Sequence, residues 1–161
     1  MVVDALAKRW GAADWQKKGE ARYALDRGRN AILVQPQSFM NLSGRPTQAL
    51  ATFYKVPPQR ILVVVDDLDL PFGTLRLRAD GGSGGHNGLK DLIAVFGTGF
   101  PRLRIGIGRG HDPDAIDRVL GDFSPVEQQE LPSIIDRAAV GAEAWLAQGV
   151  IPAMNLVNPK I

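Results

Sequence analysis

The sequence predicts an α/β fold: a single three-layer α/β/α domain with a mixed, mostly parallel sheet. Three observations carry this expectation. Ile61–Val65 is a run of five β-favouring aliphatic residues, the pattern of a strand covered on both faces. Segments with strand-like and helix-like periods interleave along the chain, as they do where helices cover a sheet. An early hairpin signal, Asp26-Arg27-Gly28-Arg29-Asn30 between two apolar runs, adds an antiparallel pair, so the sheet is not all parallel.

In chain order, Val2, Val3, Leu6 and Trp10 fall at helical spacing and Gly11 stops that helix. Ala21, Tyr23 and Leu25 alternate as a strand, and Ala31–Val34 forms the second arm of the hairpin. Ser43-Gly44-Arg45-Pro46 opens a helix, with proline in the first turn where its missing N–H costs nothing. Ala49, Leu50 and Phe53 are its expected buried stripe, and Pro57-Pro58 closes it. After Ile61–Val65, Leu75 and Leu77 alternate with Arg76 and Arg78, a half-exposed strand with a basic outer face. A helix over Asn87–Phe96 follows a glycine-rich loop, and Leu103–Ile107 is another buried strand. Ser124-Pro125-Val126-Glu127 is a capping box. The helix it opens is expected to bend or break at Pro132 before continuing through Ile134, Ile135, Ala138, Ala142 and Trp145.

Composition narrows the function classes. The 161 residues suit one domain. With no cysteine, disulfides, thiolate zinc sites and iron–sulfur clusters are excluded. Only His86 and His111 could supply imidazole, too few for a histidine metal cage. No apolar run approaches the roughly 18–20 residues of a membrane span, and Met1–Trp10 is too short and charged for a signal peptide. A soluble cytoplasmic protein, without membrane partners, is expected. The net charge of +2 is unevenly spread: residues 76–109 carry +4 and residues 110–149 carry −6. A basic middle suits an anionic partner.

Three segments could hold chemistry. Gly81-Gly82-Ser83-Gly84-Gly85-His86-Asn87-Gly88-Leu89-Lys90-Asp91 places glycines before a helix start, where backbone can approach a ligand. It is not Gly-x-Gly-x-x-Gly, because the sixth position from Gly82 is Asn87, and not a P-loop, because Leu89 follows Gly88. Asp66-Asp67-Leu68-Asp69 follows the buried strand, where ligands of α/β sheets collect. Asp66 and Asp67 should point to opposite sides. Phe39-Met40-Asn41-Leu42-Ser43-Gly44 precedes a helix, where Asn41 or Ser43 reads most simply as a cap. Residue types alone would pair Asp66 with His86 as a general base. A metal-dependent phosphoesterase using Asp66, Asp67 and Asp69 stays open on the same footing, as does a nucleotide-binding domain.

The motifs in combination resemble bacterial peptidyl-tRNA hydrolase. Gln37–Gly44, Val65–Pro71, Gly84–Lys90 and Arg102–Gly108 occur in that family's order, and Val119-Leu120-Gly121 and Ala153-Met154-Asn155 extend the likeness through the tail. The resemblance implies a monomer that cleaves the ester joining peptide to tRNA in peptidyl-tRNA, with no metal or other cofactor. It casts Asp66 as the carboxylate that orients the catalytic histidine. Asn87 and Asn41 become the amides holding the peptide backbone and terminal nucleotide, with Asn87 also orienting the attacking water. Phe39 and Met40 become an apolar wall, and His86 a site-lining residue rather than the base. Arg76, Arg78, Arg102, Arg104 and Lys90 become the surface that meets tRNA phosphates.

One departure accompanies the likeness. The family opens with a strand ending in Gly-x-Gly-Asn-Pro-Gly, followed by Tyr-x-x-Thr-Arg-His-Asn-x-Gly carrying the general-base histidine. Neither motif occurs in this chain, and Met1–Leu6 resembles the interior of the next helix. The expectation is an N-terminally truncated domain, short by roughly twenty residues or more, with little hydrolase activity as written. A non-catalytic tRNA- or RNA-binding domain of the same fold is the alternative.

Overall fold

The structure, a computed structural model, describes residues 2–12, 14–36, 44–84, 86–108 and 123–159, with residue 87 described by its backbone. The chain divides into two compact units, one mainly Val3–Ile61 with Ala79–Pro101, the other mainly Leu62–Arg78 with Arg102–Ile161.

The first unit begins with α1 (Val2–Trp10), which ends where expected, at Gly11 with φ +64°. Strands β1 (Gln16–Lys18), β2 (Ala21–Asp26) and β3 (Ala31–Pro36) form an antiparallel sheet in that order. The β2–β3 turn is tied by Asp26, whose carboxylate accepts from the Arg29 N–H at 2.9 Å and from its guanidinium at 2.9 Å. The backbone N–H first, and the guanidinium with it, hold Asp26 below the ordinary carboxylate value. Gln35 of β3 donates to Asp4 of α1 at 2.8 Å. Helix α2 (Gly44–Phe53) is followed by a 3-10 turn at Pro58–Arg60, and α3 (Asn87–Phe96) completes the unit.

The expected stripe on α2 is corrected. Leu50 is buried, but Ala49 is exposed and Phe53 is 63% exposed; Gly44 and Pro46 are buried instead. The helix packs through its first turn, where Gly44 meets α3. The Phe53 ring is covered on one face by the Lys18 ammonium, 3.7 Å from its centroid, rather than by core.

In the second unit, β4 (Val63–Asp67), β5 (Leu75–Arg78) and β6 (Arg102–Gly106) make a mixed sheet ordered β4-β6-β5. β4 runs parallel and β5 antiparallel to β6. Helix α4 (Pro125–Gln148) runs through Pro132 without interruption, against the expected break. Proline removes one hydrogen bond there, but 24 residues and a complete capping box carry the helix across it. The Ser124 Oγ accepts from the Glu127 N–H at 3.1 Å, and Glu127 accepts from the Ser124 N–H at 2.9 Å. Helix α5 (Val150–Val157) follows. Just beyond it, the Asn158 side chain binds Leu77 of β5 twice, accepting from its N–H at 2.6 Å and donating to its carbonyl at 3.0 Å.

The α/β class and the mixed sheet are as the sequence indicates. The balance of strand directions differs: among the described residues one pairing is parallel and three are antiparallel. β1, β2 and β3 are joined by turns of a few residues, which only antiparallel neighbours permit. No helix among the described residues is long and apolar enough to cross a membrane.

Candidate active site

The glycine-rich loop delivers the chain to α3 through a local hydrogen-bond scheme. The His86 N–H donates to the Ser83 carbonyl at 3.0 Å, and the His86 carbonyl accepts from the Lys90 N–H at 3.0 Å. The His86 side chain is the helix N-cap: its Nδ1 accepts from the Leu89 N–H at 3.1 Å. An imidazole that accepts at Nδ1 carries its proton at Nε2, a tautomer assigned from this bond. The His86 Nδ1 is therefore engaged at the start of α3. That use of Nδ1 weighs against the Asp66–His86 general-base pairing suggested by residue types. Asn87 takes the first helical position and Lys90 is exposed one turn on, while Gly88 and Leu89 are buried. Phe39, Met40, Asn41 and His111 lie outside the described residues.

In the second unit, β4 ends in Asp66 and Asp67. Register puts Asp67 beside Gly106 and Asp66 beside Ile105, so the two carboxylates belong to opposite faces, as alternation requires. Asp66 is exposed. Asp67 is committed: one oxygen accepts from Arg104 at 3.2 Å and the other from the Asp69 N–H at 2.8 Å. That commitment works against the metal-phosphoesterase reading, which needs Asp67 facing a cation. The loop after β4 folds back over the end of β6. The Gly106 N–H donates to Thr74 at 2.7 Å, its carbonyl accepts from Gly73 at 2.9 Å, and the Thr74 N–H donates to the Pro71 carbonyl at 3.0 Å. A Cβ at position 106 would lie only 2.1 Å from the Pro71 oxygen, so the loop seats against bare backbone.

The arginines segregate by strand register. Arg76 lies opposite Arg104 and Arg78 opposite Arg102, placing all four on one face of the β5–β6 ladder, while Leu75, Leu77, Leu103 and Ile105 occupy the other and are buried. Like charges directly opposite repel, and Asp67 offsets this at Arg104. Arg78 is exposed and Arg76 half-buried, but Arg102 is 1% exposed. The expectation that Arg102 forms part of a basic surface is therefore corrected. It sits on β6, which has a strand on each side and is buried along most of its length.

Two contacts escaped sequence reasoning. The Asp91 carboxylate on α3 accepts from the Gly44 N–H at the start of α2 at 2.5 Å, and the Asp67–Arg104 pair joins β4 to β6. The first spans 47 residues, a separation no local pattern reveals. A hollow of about 550 Å³ beside the end of α2, lined by residues including Gln48, Thr52, Lys55 and Phe96, contains none of the candidate catalytic, substrate-binding or tRNA-binding residues.

The family model for peptidyl-tRNA hydrolase matches residues 1–161 of the chain. A peptidyl-tRNA hydrolase of Gloeobacter violaceus is 44% identical over 165 residues, spanning 99% of this chain and 83% of the relative. One of Mycobacterium bovis is 46% identical, spanning 98% and 85%. The crystal structure of peptidyl-tRNA hydrolase from Acinetobacter baumannii superposes with a TM-score of 0.86 at 31% identity, covering 98% of this chain and 82% of that one.

Proposed function

The chain belongs to the peptidyl-tRNA hydrolase family, and from that premise we propose that its chemistry is cleavage of the ester between peptide and tRNA in peptidyl-tRNA. The carrying observation is that the four motifs of the resemblance all fall within the residues the family match spans. The reaction adds water across the ester: an oxygen–carbon bond forms at the peptide carbonyl, and the bond to the ribose oxygen breaks. Asp66 is assigned to orienting the base, and Asn87 to positioning water and the peptide backbone. Asn41 is assigned to the terminal nucleotide, Phe39 and Met40 to the apolar wall, and His86 to lining the site. Arg76, Arg78, Arg104 and Lys90 are assigned to phosphates, and Arg102 is withdrawn from that group because it is buried. Side-chain amides suit the holding roles, since each offers a donor and an acceptor with no charge to desolvate. The protein acts as a monomer in the cytoplasm, with tRNA as its macromolecular partner.

The general-base histidine of the family sits in a motif this sequence does not contain. The use of its Nδ1 to cap α3 weighs against His86 as a replacement. The test measures release of peptide from a peptidyl-tRNA by this chain, by a version preceded by the family's Thr-Arg-His-Asn motif, and by that version with Asp66→Asn. Fast turnover only in the second supports the reading. Equal turnover in the first two sinks the missing-base assignment, and an unaffected Asp66→Asn sinks the role of Asp66. Activity lost with chelator would instead favour the phosphoesterase alternative.

A further inference from the structure

We propose that the β1–β2–β3 sheet and the end of α2 form a docking surface for unpaired nucleotides, with a base stacked on the Phe53 ring and the flanking phosphates taken by Lys18 and Arg27. Residues 15–60 include eight basic side chains and two acidic ones, a net charge of +6, more positive than the 76–109 stretch. One of the two acids, Asp26, is already matched by Arg29 at 2.9 Å. Such an imbalance within one compact unit draws a polyanion.

Strand alternation collects aromatic rings beside that charge. Gln16 lies opposite Tyr23, so Gln16, Lys18 and Tyr23 share one face of the sheet. The end of α2 meets the same face. The Lys18 ammonium stands 3.7 Å from the Phe53 ring centroid, and the Tyr23 and Tyr54 rings meet edge-on at 6.2 Å. Phe53 and Tyr54 are 4.9 Å apart with their planes at 77°. These contacts hold the Phe53 ring while leaving the residue 63% exposed. Arg27, in the hairpin turn, is close enough for its charge to act on the Tyr54 hydroxyl. Among the described residues neither Lys18 nor Arg27 is paired with a carboxylate.

The chemistry of the cluster selects its partner. Phe53 is the one exposed large hydrophobic residue among the described residues of this unit, since Val126, Val140, Ile151 and Leu156 belong to the other. The centre of a protein interface brings several apolar side chains together. A single held ring among unpaired cations matches a base and its phosphates instead. Every base has a face that stacks on an aromatic ring, and only an unpaired strand leaves that face open. None of these residues is assigned a part in ester cleavage, so the inference stands apart from that reading.

The test titrates the chain as it is into fluorescein-labelled oligo(rU), oligo(dT), an abasic DNA strand and a DNA duplex at several salt concentrations, with anisotropy giving dissociation constants. Phe53→Ala and Phe53→Leu should each weaken binding of the two unpaired strands roughly tenfold. Phe53→Trp, which keeps a stacking face, should bind within about threefold of wild type. Binding of the abasic strand and the duplex should not respond to any of the three. Lys18→Ala and Arg27→Ala should each reduce the salt slope by about 0.7. A preference for oligo(rU) over oligo(dT) would assign a further contact to the 2′-hydroxyl, and equal affinity would assign base and phosphate alone; both support the proposal. A Phe53→Ala protein within twofold of wild type overturns it. So does a Phe53→Leu protein that binds as wild type, which would make the patch an apolar protein-docking surface, and so does an equal loss on the duplex or the abasic strand. If Phe53→Ala fails to fold, unchanged salt slopes in Lys18→Ala and Arg27→Ala overturn it. A wild-type chain that binds neither unpaired strand at about 50 mM salt overturns it as well, while the ester-cleavage reading is decided separately by turnover of peptidyl-tRNA.

Discussion

Replacing Gly106 by alanine should cost this protein more stability than the single added methyl suggests. The new Cβ would stand 2.1 Å from the Pro71 carbonyl oxygen, with the Leu70 Cβ at 2.9 Å and its carbonyl at 3.0 Å. Reaching even a 3.0 Å contact requires the Pro71 oxygen to retreat by 0.9 Å. That oxygen is backbone, and it also accepts from Thr74 at 3.0 Å, while Gly106 is bonded to Gly73 and Thr74 on either side. The loop cannot move as a flexible side chain would, so relief stretches these bonds together. Overpacking of this kind costs about 1–3 kcal/mol, and weakening one or two of the hydrogen bonds adds about 1 kcal/mol. The expected loss is about 2–4 kcal/mol, a fall in melting temperature of roughly 5–12 °C for a chain of this size. Thermal and urea unfolding followed by circular dichroism measure it. Gly99→Ala is the control, because a Cβ there meets nothing within 4 Å, and it should stay within about 0.5 kcal/mol of wild type. A Gly106→Ala protein that melts within 2 °C of that control, on the order of 1 kcal/mol or less, would refute the reasoning.

Asn158→Ala removes both partners of Leu77 and should cost about 1–3 kcal/mol in urea unfolding; a change below about 0.5 kcal/mol would contradict it. Arg78→Ala, on an exposed strand position, should reduce the salt slope of tRNA binding by about 1 without changing the melting temperature. Arg102→Ala should instead lower stability by about 2 kcal/mol or more, since the residue is 1% exposed; an unchanged melting temperature would return Arg102 to the surface. Asp26 should titrate below 3.8, because its charged form is held by Arg29. A carboxyl depressed in the folded state contributes stability above its unfolded pKa and loses it as pH falls through the folded one. The stability advantage of wild type over Asp26→Asn should therefore be present at pH 7 and vanish at pH values below 3.8. An NMR titration midpoint at or above 3.8 would contradict the hairpin clamp.

Elements whose cause is local were legible in the sequence. The capping box at Ser124, the α3 boundaries at Asn87 and Phe96 and the Arg/Leu alternation of β5 each depend on residues a few positions apart. Elements that exist through distant partners were not. β1 is Gln16-Lys17-Lys18, three polar residues without strand character, and it is a strand only because β2 pairs with it. Phe53 reads as core by residue type, yet α2 is oriented by Asp91 at its other end, and the ring finds a lysine instead. The same limit separates Arg102 from Arg78. Both alternate with leucines in a basic strand, but among the described residues Arg78 belongs to a strand with one neighbour and Arg102 to a strand with two. Which strand is central is a property of the whole chain. At the candidate site the carboxylate at the end of β4 and the loop-to-helix junction at His86 were located from sequence. The use of Nδ1 as a cap was not, because histidine is an uncommon choice where serine or aspartate ordinarily serves.

The double hydrogen bond from Asn158 to Leu77 has a consequence in time. It joins positions 81 residues apart, and at synthesis rates of about 5–20 residues per second the amide arrives roughly 4–16 seconds after the strand it serves. Through that interval β5 offers a backbone N–H and a carbonyl that an extended segment of another nascent chain could pair with. The adjacent Arg76 and Arg78 give the strand like-charge repulsion against its own copies in neighbouring chains on a polysome. Charge guards the strand while the chain is being made, and the asparagine takes over when it is finished.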